Sequence, residues 1–532
     1  MVAAILPSIV AAAIVAPPDL GAYAAIRDEG LKHSHALEYA AALADEIGPR
    51  LTGSPNIAKA NDWAKAALAQ MGASNPHLED FGEFGIEWLQ RNTWMRMSEP
   101  DDMVFIAQAA PWSVSTLGTV EANAIQADIT SDTDFARYHG LLTGKIVFLG
   151  KTRSAPMPFD AFAQRLTEAQ LQNGEAITAI DHYYKIRPQR LAQLSEENAF
   201  RDRLRIFLEG EHILAVVLPS RDAPNGGGTG DLSVDTSGMP SSEPWLDAKR
   251  PTFPVAVTAI EDYGRVSRLL SRSIPVKIQL NVDTQDIGLH GHGYNVVADF
   301  PGSDPILKKQ IVLVTAHIDS WASGTGATDD GAGVAISLEA LRILKQLNLM
   351  MRRTVRVVFN GGEEEGLFGA VGYAEKHLGV LPRSKDVTQQ NIIQAWRTPT
   401  GPIRKGREYS DFSADYDMDH GGGRIRGVFT GGNPELADIY RQWIAPLHDL
   451  GVSRVFDSPY WPSDQSVYDD IGLPGIAFLQ DPLDYDSRSH HTNMDTVERL
   501  SPADMAQAAT VEAIFIYNTA NRDHLLPRAQ RK

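Results

Sequence analysis

The segment from Ile311 to Gly333, IVLVTAHIDSWASGTGATDDGAG, constrains this chain more than any other. Ile311 to Val314 is a run of apolar and β-branched residues and reads as a buried strand. It ends at His317-Ile318-Asp319. A glycine-rich loop then delivers Asp329 and Asp330, and the chain enters an apolar helix. Val334, Leu338, Leu341 and Leu344 recur there at helical spacing and face a core. Open α/β sheets gather ligands beyond the carboxyl ends of their strands. A strand that ends in a histidine and an acid, with two more acids on the next loop, therefore predicts a metal site.

A second strand and loop repeat the device. Thr354 to Phe359 reads as a buried strand and runs into Gly361-Gly362-Glu363-Glu364-Glu365-Gly366. Three adjacent carboxylates repel one another strongly unless cations sit among them. Two further segments offer ligands: Tyr416-Asp417-Met418-Asp419-His420 before a triple glycine, and Ser489-His490-His491-Thr492-Asn493-Met494-Asp495 before the last helix. Imidazole with carboxylate suits zinc, and a chain without cysteine has no thiolate site.

In this order, His317-x-Asp319-Ser320-Trp321, Asp329-Asp330-Gly-Ala-Gly, Glu363-Glu364, Asp419 before glycines and His491 four residues before Asp495 resemble the di-zinc exopeptidases. That family includes bacterial secreted aminopeptidases and glutamate carboxypeptidases. The HxDSW form resembles its plasma glutamate carboxypeptidase-like branch. The resemblance spans residues 43–526, interrupted by an insert.

The resemblance implies two zinc ions per chain and a water activated between them, since paired ions can generate a nucleophile and clamp developing charge. It implies that Asp329 bridges the ions. One ion would take Asp329, Glu364 and His491, and the other Asp329, His317 and Asp419. Asp330 would shape the turn. Glu363 would be the general base, and Asp319 would accept the second N–H of His317 and fix its tautomer. Many relatives carry tyrosine before the last ligand histidine as a donor to the substrate carbonyl. His490 stands there in this chain and is the candidate oxyanion donor. Asp415 and Asp417 compete with Asp419, which is preferred for its place against Gly421-Gly422-Gly423. Glu365 has no assigned metal role and is expected to be solvated. His33, His35, His290, His292 and His377 are expected in loops or at the surface.

The implied fold is α/β, a mainly parallel helix-flanked sheet with an inserted β-rich protease-associated domain. Residues 1–17 read as an export signal, apolar and alanine-rich, which places the chain outside the cytoplasm, in the periplasm or extracellular space. Residues 18–111 and 284–532 would form the catalytic unit. Residues 112–283 would form the insert, with Lys145 to Leu149 and Ile213 to Val217 strand-like and a flexible turn at Gly226-Gly227-Gly228-Thr229-Gly230. The segment Ile47 to Ser54 resembles the family's amino-terminal signature and reads as a turn without chemistry. Ser501-Pro502-Ala503-Asp504 reads as a helix start.

With 49 basic and 67 acidic residues the net charge is -18, which disfavours nucleic acid and anionic membrane as partners. No segment after the first could span a bilayer. The expected partners are peptide substrates, and the expected activity is hydrolysis at a free amino terminus. A dipeptidase or glutamate carboxypeptidase-type hydrolase is the alternative. The intact ligand set argues against transferrin-receptor-like binding proteins of the same architecture, and metal stoichiometry would separate a one-zinc cyclotransferase.

Overall fold

The structure is a computed structural model that describes residues 17–154, 157, 159–221 and 228–529. The expected export signal, apart from Pro17, and Gly226-Gly227 of the glycine run lie outside these residues.

Eight strands position the site: β1 (Ser74–Glu99), β2 (Lys277–Phe300), β3 (Ile311–His317), β4 (Thr354–Asn360), β5 (Phe412–Asp417), β6 (Ile425–Phe429), β7 (Arg454–Phe456) and β8 (Gly475–Gln480). They lie in the order β7-β6-β8-β5-β3-β4-β2, with β1 paired to β2. The centre, β8-β5-β3-β4, is wholly parallel. β3 is buried at every residue, as its unbroken apolar run predicts. The helices Ala332–Gln346 and Pro502–Asn521 pack on the sheet in one continuous apolar core. The second of these starts where the sequence predicts, with the Ser501 side chain accepting from the Asp504 amide and proline in the first turn.

The insert region is joined to the catalytic sheet by shared strands. The amino-terminal half of β2 pairs with the strand Val120–Ala127, and its carboxyl-terminal half pairs with β4. Ile146–Leu149, Ala215–Pro219 and Val255–Thr258 then continue the sheet in parallel, and Ala107–Ala109 closes its edge. The expected division between residues 283 and 284 thus falls inside one unbroken strand. The region also holds a 33-residue helix, Thr178–Gly210, that strand-and-loop reading does not anticipate. It is mostly polar and contains Pro188, so its periodic signal is weak. It is tied to the rest of the chain by Tyr184, which donates to the Tyr460 carbonyl at 2.5 Å, and by Asn198, which donates to the Asn391 carbonyl at 2.7 Å.

Among the described residues no helix is long and apolar enough to cross a membrane.

The turn Ile47 to Ser54 does more than connect two helices. Arg50 is fully buried. Its guanidinium donates to the carbonyls of Ile318 at 2.8 Å, Thr325 at 2.8 Å and Gly326 at 2.7 Å. It therefore holds the whole loop after β3 against the amino-terminal part of the chain. Arg50→Met keeps comparable bulk but strands three buried carbonyls. It is expected to destabilise the fold by about 3 kcal/mol or more, read as a lowered midpoint in denaturant melts.

Candidate metal centre

The four parallel strands end at one edge, and each hands the chain to a loop that carries acids or histidines. β3 ends in His317, β4 leads to Glu363 and Glu364, β5 leads to Asp419, and β8 leads towards His490 and His491. This is the crevice beyond the carboxyl ends where α/β sheets bind ligands.

His317 Nε2 lies 3.3 Å from Asp329 Oδ1 and 3.4 Å from Asp419 Oδ1. The other carboxylate oxygen, Asp329 Oδ2, lies 3.3 Å from His491 Nε2 and 3.9 Å from His490 Nε2. Glu364 Oε2 lies 3.0 Å from His491 Nε2. The donors therefore fall into two groups that share Asp329: His317, Asp329 and Asp419 form one, and Asp329, His490 and His491 the other. His490 thus joins the group for which the sequence indicates Glu364, while Glu364 approaches through His491. The His490 side chain is 44% exposed and stacks between Tyr485 and His491.

Hydrogen-bond logic shows what this arrangement fits. His317 Nδ1 lies 3.1 Å from the Asp319 carbonyl, which can only accept, so the proton sits on Nδ1. In the neutral ring, Nε2 then points a lone pair at two carboxylate oxygens. Asp329 Oδ2 and Glu364 Oε1 are buried without a hydrogen-bond partner. Burial, then the charge of Asp329, pushes the Glu364 carboxyl up to about 7. Cations among such groups relieve the repulsion. Two ligands about 2.1 Å from a tetrahedral zinc lie roughly 3.4 Å apart, and the donor separations around Asp329 match that spacing. The residues fit a metal pair.

The structure changes the reading of several residues. Asp319 faces His317 Nδ1 through its main-chain oxygen at 3.1 Å, while Oδ1 of its carboxylate is 3.7 Å away. The carboxylate instead accepts from the amides of Glu363 and Glu364, both at 3.3 Å, and from the Thr52 hydroxyl at 3.2 Å. It holds the acidic loop. Glu365, expected to be solvated, is 4% exposed. Asp330 does shape its turn, accepting from the His317 amide at 3.2 Å and the Gly333 amide at 3.0 Å. Asp415 and Asp417 both turn to the Thr315 hydroxyl, at 2.9 and 2.8 Å, which leaves Asp419 facing His317. His33, His35 and His290 are exposed, and His292 is about half exposed. His377 is more enclosed, between Glu79 and Glu408.

Sequence reasoning missed Ser463 and the role of Asp495. The Ser463 hydroxyl contacts Asp419 Oδ2 and lies 3.4 Å from Glu363 Oε1. Asp495 accepts from the amides of Thr328 at 2.5 Å and Asp329 at 3.2 Å, fixing the loop that carries Asp329. No local motif marks Ser463. The fixed offset of Asp495 from His491 was visible, but not its partner. Burial and the charges of Asp419 and Asp464 push the Glu363 carboxyl well above its ordinary value, against the pull of His317. A cavity of about 820 Å³ lies elsewhere, between the helix Thr178–Gly210 and residues 383–399, and none of these groups lines it.

The family profile described as peptidase family M28 matches residues 295–516. That span carries every candidate ligand. This part of the chain is similar to peptidase family M28. Carboxypeptidase Q of Mus musculus is 27% identical over 489 residues, covering 92% of this chain and 86% of the relative. Carboxypeptidase Q of Homo sapiens is 27% identical over 503 residues, covering 94% and 88%. Among solved structures, a peptidase M28 precursor from Shewanella amazonensis SB2B aligns with a TM-score of 0.66 at 23% identity, covering 96% of this chain and all of that one. A zinc aminopeptidase from Bacillus subtilis aligns with a TM-score of 0.55 at 16% identity, covering 92% and 95%. These two share the α/β fold with its mainly parallel central sheet.

Close approach at this candidate centre explains Gly333. A Cβ there would collide with the Met418 carbonyl and with both carboxylate oxygens of Asp330. Gly333→Ala is expected to cost about 1–3 kcal/mol of stability and, by displacing Asp330 from the His317 amide, to lower metal retention after dialysis, measured by elemental analysis.

Proposed function

We propose that this protein is a di-zinc exopeptidase that hydrolyses the first bond of peptides with a free amino terminus. The observation that carries the two-ion reading is Asp329, whose oxygens face different histidines, His317 and His491. His317, Asp329 and Asp419 would hold one ion, and Asp329, Glu364 and His491 the other. Bound zinc would supply Lewis acidity and lower the pKa of water.

The chain's own groups would do the rest. Glu363, one residue before a ligand and turned towards Ser463, would take the proton of the attacking water and pass it to the leaving amine. Its raised pKa suits a group that must hold that proton in between. His490, half exposed beside Asp329, would donate to the substrate carbonyl oxygen as charge develops there. Asp319 would keep Glu363 and Glu364 in register through their amides.

Recognition of an amino terminus rests on charge. Among the described residues no lysine or arginine lies within salt-bridge distance of Asp329, Glu363, Glu364 or Asp419. Arg488, the base nearest in sequence to the last ligand, covers the Phe162 ring at 4.9 Å. Acid-rich surroundings attract an ammonium group, although two zinc ions offset part of the charge. The names of the 27%-identical relatives favour a second reading, a carboxypeptidase or dipeptidase. Export of the chain, with residues 1–17 as its signal, remains part of the proposal.

Dialysed active protein should contain close to two zinc ions per chain by elemental analysis. Glu363→Gln should keep both and lose on the order of 10²–10⁴ in turnover, whereas Glu364→Gln should lose metal. A constant ratio of one with full activity would overturn the two-ion reading.

Unblocked aminoacyl amides and short peptides should be cleaved, amino-terminal acetylation should abolish cleavage, and carboxyl-terminal amidation should matter little. The reverse pattern would establish the carboxypeptidase reading and make Arg488 the first residue to substitute.

A further inference from the structure

His491 presents its two nitrogens to opposite sides. Nε2 faces Asp329 and Glu364, at 3.3 and 3.0 Å. Nδ1 faces Asp235 Oδ2 at 3.5 Å. Asp235 comes from the insert region, and its side chain is 6% exposed. We propose that Asp235 is the positioning residue for His491, so that the insert supplies the carboxylate that orients a ligand of the catalytic sheet. The inference rests on the proposed reading of His491 as a zinc ligand.

The geometry is built from both sides. Asp235 Oδ1 accepts from the Ser237 amide at 2.8 Å and from the Ser237 hydroxyl, and Oδ2 also receives the Arg221 guanidinium. The carboxylate is therefore held still before it meets the imidazole. The backbones are joined as well. The Val234 amide donates to the His491 carbonyl at 3.2 Å, and the Asn493 amide donates to the Leu232 carbonyl at 2.9 Å. The Leu232 amide donates to the Asn493 side-chain oxygen at 2.7 Å, and Ser233 pairs with Thr492 in an antiparallel bridge. Trp321 closes another side of the imidazole, edge to face, with ring centroids 5.8 Å apart.

The chemistry calls for such a partner. An imidazole offers one nitrogen to a metal when the other carries the proton, and an acceptor behind that proton fixes both tautomer and ring orientation. His317 has its acceptor two residues away, in the Asp319 carbonyl. The described contacts of His491 Nδ1 show Asp235 in the equivalent place. The two histidines are thus backed in the same way, one by its own strand end and the other by the insert.

The test uses the full chain and zinc itself, titrated against a competing chelator, with thermal melts alongside. Asp235→Asn is expected to weaken one of the two zinc equivalents by about 10–100-fold, to leave the other unchanged, and to lower kcat more than KM. Asp235→Glu should recover part of the loss. Arg221→Ala removes the guanidinium but leaves the carboxylate held by Ser237, and should keep both zinc affinities. Tight binding of both equivalents by Asp235→Asn would overturn the proposal. So would an equal loss in Arg221→Ala, which would make Asp235 a loop fastener only. His491→Ala separates the levels. Loss of one equivalent there, with none weakened in Asp235→Asn, overturns this inference alone. Two equivalents retained in His491→Ala overturn the reading of the centre beneath it.

Discussion

Carboxylates collected in a dry crevice repel one another, and the upper edge of this sheet is arranged around that repulsion. Asp329, Glu363, Glu364 and Asp419 converge where water is largely excluded, with His317 and His491 among them. Such a set is stable only with compensating positive charge and with backbones that cannot relax apart. The fold provides the second condition. Arg50 pins the loop after β3 by its carbonyls, Asp319 holds the acidic loop by its amides, and Asp495 holds the loop of Asp329 by two more. Each pin joins segments distant in sequence, so the candidate ligands sit in a frame that the fold itself fixes.

Much of this was legible in one dimension because the carriers are local. A buried strand followed at once by histidine and acid, and a strand followed by glycines and glutamates, place their side chains by strand direction alone. The candidate ligand set and the helix-covered parallel sheet follow from such units. What was not legible depends on contacts between remote segments. Nothing around Arg50 says that its guanidinium reaches carbonyls near residue 320. Nothing around Ser463 says that it meets Asp419. Asp319 shows a finer limit: the sequence places it beside His317, but whether its carboxylate or its main chain meets the ring depends on where the 363–364 amides lie. The helix Thr178–Gly210 was hidden for a different reason, since a polar helix with an internal proline has little periodic signal to read.

The insert region is more than an ornament on the catalytic unit. Its strands extend the same sheet through β2, and its segment near residue 233 is zipped to the loop that carries His491. The placement of the loop that carries His491 is therefore set partly by residues outside the 295–516 span.

The shared strand also governs how the molecule can be made. β1 pairs along its length with β2, from Ser74 opposite Asp299 to Glu99 opposite Lys277. Apart from Met95–Met97, which also pair with Met103–Phe105, the partner of β1 is synthesised only after the whole insert. Until then a 26-residue strand carries an unsatisfied edge. Pairings so distant in sequence close slowly, because the loop entropy must be spent before the ladder forms. The chain emerging from the ribosome must keep that segment from other chains until residues 277–300 have been made.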